Sequence, residues 1–286
     1  MTIVLVPLLV NHALQHFLGD NMSQKEQFEQ RFSLEFNTQQ SGLGATRANI
    51  IRLLRSLDLV GWSTHEDSGR LDRKAFTRYS CGSTNIFSKR QLVEAEKSAV
   101  SVLIDCSGSM DGEKIKTAQS ICIQLSRILD KANVDFSVTG FYGGNSYDRA
   151  NATGAGKTID VVSEVATLIP FKNWSESIGK ASAKLGSISV WARGSTPDYA
   201  GLSLAIEDIS KRQEKRKIIF FLTDADGYCK PHMKHLQKLA DRLGIKIIAI
   251  GIGDTQVDQC FTHAQNVTNV SELASASFNK ILKQLQ

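Results

Sequence analysis

An open α/β fold, with a mostly parallel sheet doubly wound by helices on both faces, is what residues 96–286 predict, and two features of the sequence predict it. From about Ala99 onward, β-like apolar runs alternate with amphipathic helical stretches. Two of the runs, Lys217–Leu222 (KIIFFL) and Ile245–Ile250 (IKIIAI), are apolar almost throughout, as strands covered on both faces are.

Taken in order, Ala99–Ile104 (AVSVLI) reads as the first strand and Lys114–Ala132 as the helix that follows it. Asp135–Phe141 (DFSVTGF) is the second strand. Residues 143–157 (GGNSYDRANATGAGK) are rich in Gly, Asn and Ala without a hydrophobic period and read as a loop. Helices are expected over Ser175–Leu185 and Asp198–Lys211, then the strand Lys217–Leu222, a helix over His232–Leu243 and the strand Ile245–Ile250. Gly251 and Gly253 punctuate that last strand, and Glu272–Leu285 reads as the closing helix. Residues 1–95 differ. They show helical periodicity at Ile50, Ile51, Leu53, Leu54 and Leu57 but no comparable strand alternation, so a helical amino-terminal extension is expected ahead of the 96–286 domain.

Composition narrows the function classes. With 42% hydrophobic and 22% charged residues, the 286-residue chain can bury a sizeable core. The net charge of +5 is spread among acids along the whole chain instead of forming a basic stripe, so no nucleic-acid partner is expected. Five cysteines, an odd number with no CxxC pair, suit a reducing cytoplasm better than a disulfide framework. The apolar run from Ile3 to Val10 is interrupted by Pro7, has no preceding Lys or Arg, and is far shorter than the ~20 residues a membrane span requires, so neither a signal peptide nor a membrane anchor is expected.

The chemistry gathers where strands end. Asp105-Cys106-Ser107-Gly108-Ser109-Met110 places a carboxylate and two hydroxyls at alternate positions just past the first strand, at the carboxyl edge where open α/β sheets bind ligands. Gly108 allows the tight turn that points both hydroxyls at one spot. Gly194-Ser195-Thr196-Pro197-Asp198 and Leu222-Thr223-Asp224-Ala225-Asp226-Gly227 bring further oxygen donors to that edge. A few carboxylates with several neutral oxygens form a hard donor set, which suits Mg²⁺ or Mn²⁺ better than zinc.

The order Asp-x-Ser-x-Ser, then Thr, then Asp resembles the metal-ion-dependent adhesion site (MIDAS) of von Willebrand factor A (VWA) domains, and every piece of that pattern is present. The resemblance implies a Rossmann-like VWA fold. It implies hydroxyl ligands from Ser107, Ser109 and Thr196, with Asp105 and Asp224 contacting the metal directly or through water. It also implies one open position for a partner's acidic group.

Four stretches extend the resemblance over most of residues 65–286. They are Gly69-Arg70-Leu71-Asp72, Phe87-Ser88-Lys89-Arg90, Ser107-Gly108-Ser109-Met110-Asp111-Gly112 and Ala249-Ile250-Gly251-Ile252-Gly253, and they are similar to the carboxyl-terminal part of the CobT-type subunit of aerobic cobaltochelatase. That family works beside a MoxR-type AAA+ ATPase, which presents acidic residues to the adhesion site, and a large chelating subunit. The chain lacks the long acidic region of such subunits and is shorter. The expected role is therefore a non-catalytic, metal-dependent adapter of a MoxR-type AAA+ ATPase that acts on a third client protein. Membership of a cobaltochelatase that inserts Co²⁺ into a corrin ring stands as the alternative.

Other signals compete less well. Gly154-Ala155-Gly156-Lys157-Thr158 imitates a phosphate-binding loop, but Asn151 stands where its first Gly belongs. The pairs Cys229-x-x-His232 and Cys260-x-x-His263 carry ligands for a tetrahedral zinc site, although Cys and His at such positions are more often simply packed. A phosphatase built on Asp105 would want an acid where Ser107 stands, and no Gly-x-Ser-x-Gly marks a serine hydrolase. An extracellular adhesion domain would need the secretion signal and paired cysteines that the sequence does not suggest.

Overall fold

The computed structural model describes residues 22–38, 60–75, 79, 81–82, 84–92, 97–143, 166–225, 230–253, 255–269 and 272. In chain order these form helix α1 (Met22–Thr38) and strands β1 (Val60–Glu66), β2 (Arg70–Leu71) and β3 (Phe87–Leu92). There follow β4 (Ser98–Asp105), α2 (Glu113–Lys131), β5 (Asp135–Gly143), β6 (Ala166–Lys172), α3 (Ile178–Gly186) and α4 (Asp198–Ser210). The chain continues through β7 (Arg216–Thr223), α5 (Lys230–Arg242), β8 (Ile245–Ile252) and β9 (His263–Val267).

The main sheet has six strands in the order β6-β5-β4-β7-β8-β9. Only β6 runs antiparallel to its neighbour; the pairings β5-β4, β4-β7, β7-β8 and β8-β9 are parallel. Every residue of β4 is buried, because successive side chains point to opposite faces and both faces are covered. Val100, Val102 and Ile104 enter one core with Ile115, Ile121, Leu125 and Leu129 of α2 and Ala181 and Leu185 of α3. Ala99 and Leu103 enter the other with Leu202, Ile206 and Ile209 of α4 and Met233, Leu236 and Ala240 of α5. The helical three- and four-residue spacing of these positions lets each helix bury one stripe. The predicted doubly wound, mostly parallel α/β fold is the observed one.

Helix α1 is part of this body. Phe36 belongs to the α2-side core, Phe32 is buried, and Gln119 Nε2 donates to Glu35 Oε1 at 2.9 Å. The guanidinium of Arg127 lies over the Phe36 ring at 4.8 Å and donates to the Phe36 carbonyl. The close fit of α1 on α3 depends on Gly186, where a Cβ would stand 2.0 Å from the Phe32 carbonyl oxygen.

Three features depart from the sequence expectations. Residues 60–92, expected within a helical extension, contain a three-stranded sheet in the order β1-β3-β2, antiparallel throughout. Its strands, VGWSTHE and FSKRQL, are too polar to show a buried face. Gly69, at φ +130°, makes the turn into β2, where any Cβ would meet the Ser88 carbonyl at 2.6 Å. The two edge strands β6 and β9 have no counterpart among the strands that the sequence predicts. The periodic residues 50–57, residues 144–157 of the expected 143–157 loop and residues 273–285 of the expected Glu272–Leu285 helix lie outside the described residues, while Gly143 ends β5. Among the described residues, no helix is long and apolar enough to cross a membrane.

Candidate metal centre

From β4 the chain passes to β5 on one side, and it returns as β7 on the other. Between β4 and β7 therefore lies the point where the strand order reverses, the crevice in which open α/β sheets hold ligands. Ile104 is in register with Leu222, so Asp105 at the end of β4 emerges beside Thr223, one residue before Asp224.

Local chain geometry then builds the centre. After Asp105 the backbone turns through a short 3-10 segment, Gly108–Met110, anchored by the fully buried Met110. The Ser107 N–H donates to Asp105 Oδ1 at 2.8 Å. The Ser107 and Ser109 hydroxyl oxygens stand 3.0 Å apart, and Ser109 Oγ donates to Asp224 Oδ1 at 3.2 Å. Thr196 arrives on a second loop that is tied down on both sides. The Gly108 N–H donates to the Gly194 carbonyl at 3.0 Å, and the Arg193 N–H donates to that of Cys106 at 2.8 Å. Ser195 bridges Gly143 at the end of β5. Gly194 is required there, since it has φ +70° and a Cβ on it would lie 2.0 Å from the Gly143 carbonyl. Thr196 itself is half-buried, one residue beyond that bridge.

The electrostatics are those of buried carboxylates. Burial pushes the Asp105 carboxyl up to about 6; hydrogen bonds from Ser107 and Thr223 oppose the rise, and the Asp224 charge adds to it. Burial likewise drives the neighbouring Cys106 thiol well above its ordinary value, with Asp105 adding to the effect, so this thiol is uncharged and no hard-metal ligand. Three other groups surround the centre: Thr223 and Asp198, which the sequence places only among the oxygen donors of the edge, and Lys114, to which it assigns no role. Thr223 Oγ1 donates to Asp105 Oδ2 at 3.1 Å, lies 3.4 Å from Asp198 Oδ1, and accepts the Ala225 N–H at 2.9 Å. Asp198 is a third buried carboxylate, in the first turn of α4. Lys114 holds Asp224 Oδ2 at 2.7 Å. One signal could have found Lys114: it stands in the first turn of α2, where the helix dipole disfavours a cation unless an acid answers it.

The donor set fits a hard divalent cation. Among the described residues no three His, Cys, Asp or Glu side chains are close enough to hold an ion by themselves, so hydroxyls have to complete any shell. Oxygens of an octahedral Mg²⁺ shell at ~2.1 Å stand about 3.0 Å apart along each edge. The Ser107–Ser109 and Ser109–Asp224 separations of 3.0 and 3.2 Å are of that size.

Of the zinc ligands suggested by the sequence, Cys260 lies with its Sγ 4.0 Å from the Lys230 carbonyl, at the start of α5. Cys229 lies outside the described residues. His232 is in the first turn of α5, edge-on to the Tyr199 ring. His263 opens β9, where burial and then the charge of Lys246 lower its pKa, while Asp241 near the far end of α5 acts the other way.

The class defined by this architecture is an α/β module with an oxygen-lined crevice at the strand-order reversal. Residues 86–285 match the model of the family described as the cobalamin biosynthesis protein CobT VWA domain, and the chain belongs to that family. The match begins at β3, and the stretches Gly69–Asp72 and Phe87–Arg90 pair there, Leu71 opposite Phe87 and Arg70 opposite Ser88. Among solved structures, proximal thread matrix protein 1 from the mussel byssus is similar at 18% identity and TM-score 0.46, over 66% of this chain and 47% of that one. A von Willebrand factor type A protein from Catenulispora acidiphila is similar at 16% identity and TM-score 0.44, over 67% and 43%. The SpRpn10 VWA domain is similar at 16% identity and TM-score 0.45, over 64% and 95%. This chain thus spans about half the length of the mussel protein it matches.

Proposed function

We propose that the chain is a divalent-metal-dependent protein-binding module, non-catalytic by itself, which serves a MoxR-type AAA+ ATPase as an adapter toward a third client protein in the cytoplasm. The observation that carries this reading is the run of oxygens from the Ser107 hydroxyl to that of Ser109 and on to the buried Asp224 carboxylate, with Asp105 bound to the Ser107 N–H, at the crevice between β4 and β7. In this reading Asp105, Ser107, Ser109, Thr196 and Asp224 hold Mg²⁺ or Mn²⁺, directly or through water. The ion, when bound, supplies a Lewis-acidic position for a carboxylate oxygen of the ATPase. The protein's part is to fix the donors on strand ends, to keep both carboxylates dry, and to hold the Thr196 loop in place through Gly194. A partner that moves on ATP hydrolysis could then pull on the module through a single ionic contact.

The test is affinity capture of partners from the native host in Mg²⁺, repeated in EDTA and with Asp105→Ala. Recovery of an AAA+ ATPase only when both metal and Asp105 are present is the expected result. The same partners recovered regardless of metal would overturn the reading. The family match favours one further possibility, a CobT-like subunit of an ATP-dependent cobaltochelatase. A large chelating subunit in the same capture would select it.

A further inference from the structure

We propose that Lys114 is an internal counter-ion of the centre, which competes with the divalent cation for Asp224 and thereby sets the cation affinity; the proposal rests on the metal-binding reading above. Of the two ligand carboxylates, Asp224 is the one that already holds a cation. Its Oδ1 receives the Ser109 hydroxyl at 3.2 Å, and its Oδ2 receives the Lys114 ammonium at 2.7 Å. An ion seated among Ser107, Ser109 and Asp224 would therefore face an ammonium across a single carboxylate, and the two like charges repel in a poorly solvated pocket.

Exposure shows which member of the pair can give way. The Asp224 side chain is 1% exposed and the Lys114 side chain 43%. The ammonium can swing into water; the carboxylate cannot leave. The Lys114 stem passes the turn at Gly253, where a Cβ would stand 4.0 Å from Cε, an ordinary contact that leaves the stem room. A cation in the first turn of α2 opposes the helix dipole, and Asp224 is what offsets that cost. Lys114 thus serves the metal-free state, keeping a buried carboxylate neutralised beside Asp105, at the expense of affinity in the loaded state.

The experiment uses the purified full chain and Mn²⁺ alone, titrated calorimetrically, with thermal melts in EDTA. Lys114→Met should bind Mn²⁺ at least about tenfold more tightly than wild type, while its EDTA form melts at a lower temperature. Lys114→Arg keeps the charge and should stay within about threefold of wild type. If Lys114→Met does not fold in EDTA, Lys114→Gln is compared in the same way and should also bind more tightly. Wild type that binds Mn²⁺ through Asp105, together with uncharged Lys114 variants of equal or lower affinity, would overturn this inference and leave the metal-binding reading standing. Absence of Mn²⁺ binding in wild type and in every Lys114 variant would overturn both.

Discussion

Asp105 shows how a single residue is strained by the work proposed for it. Its carboxyl is fully buried, and burial pushes it up to about 6, against ~3.9 in an unfolded chain. Between those values the folded state binds more protons than the unfolded one, so metal-free stability declines as the pH rises from about 4 to 6 and stays lowered above that. Asp105→Asn removes the charge and keeps an oxygen for the Ser107 N–H. In EDTA at pH 7 it should melt higher by roughly 2–4 °C, for a gain of about 1 kcal/mol, while losing cation binding. Differential scanning calorimetry with and without metal checks both halves, and a lower melting temperature in EDTA would contradict the burial argument. Cation affinity of the wild type should fall as the pH drops below about 6, because the protonated carboxyl is a poor ligand. Ser109→Ala should cost less than loss of Asp105, on the order of tenfold or 1.4 kcal/mol, since water can take the place of a neutral ligand.

At the scale of elements, α3 offers an internal control for how α1 is held. Gly179 and Gly186 lie in the same helix, but a Cβ at Gly179 meets nothing within 4 Å, whereas one at Gly186 would stand 2.0 Å from the Phe32 carbonyl of α1. Gly179→Ala should therefore be neutral or stabilising by up to about 1 kcal/mol through helix propensity. Gly186→Ala should destabilise by roughly 1–3 kcal/mol, because α1 has to shift. Urea denaturation of the two variants tests this, and similar midpoints would mean that α1 contributes little to the fold. The same side of the sheet receives a second side chain of α1, since Phe36 shares its core with β4 and α2.

For the whole molecule, the metal-binding reading makes the centre a clamp between the two halves of the sheet, with Asp105 supplied by β4 and Asp224 by the segment after β7. Saturating Mg²⁺ or Mn²⁺ should then stabilise the entire fold. At a hundredfold excess over Kd the gain is about 2.7 kcal/mol, which for a chain of this size is roughly 5–10 °C in Tm. Thermal melts across a metal series check this, and Asp105→Ala should abolish the increment. A Tm insensitive to metal in wild type would argue against the clamp.

The strands β4, β5, β7 and β8 and the helices α2 to α5 were legible because each carries its own period: apolar runs where both faces are buried, and three- and four-residue spacing where one stripe is. The candidate ligands were legible for a related reason. Residues just past a parallel strand must emerge at the carboxyl edge, so Asp105 and Asp224 were bound to meet once β4 and β7 became neighbours. Strands β6 and β9 left no such mark. In β6, Pro170 interrupts the run and pairs with Thr139 next to a register shift, as an edge strand tolerates. In β9, His263, Gln265 and Asn266 spoil any apolar pattern, since only one neighbour covers the strand. The docking of α1, the pairing of β1 with β3, and the salt bridge from Lys114 to Asp224 across more than a hundred residues were decided by tertiary structure alone. Periodicity reports which face of an element is buried. It carries no information on which distant group completes that face, because the partner is chosen by packing in three dimensions.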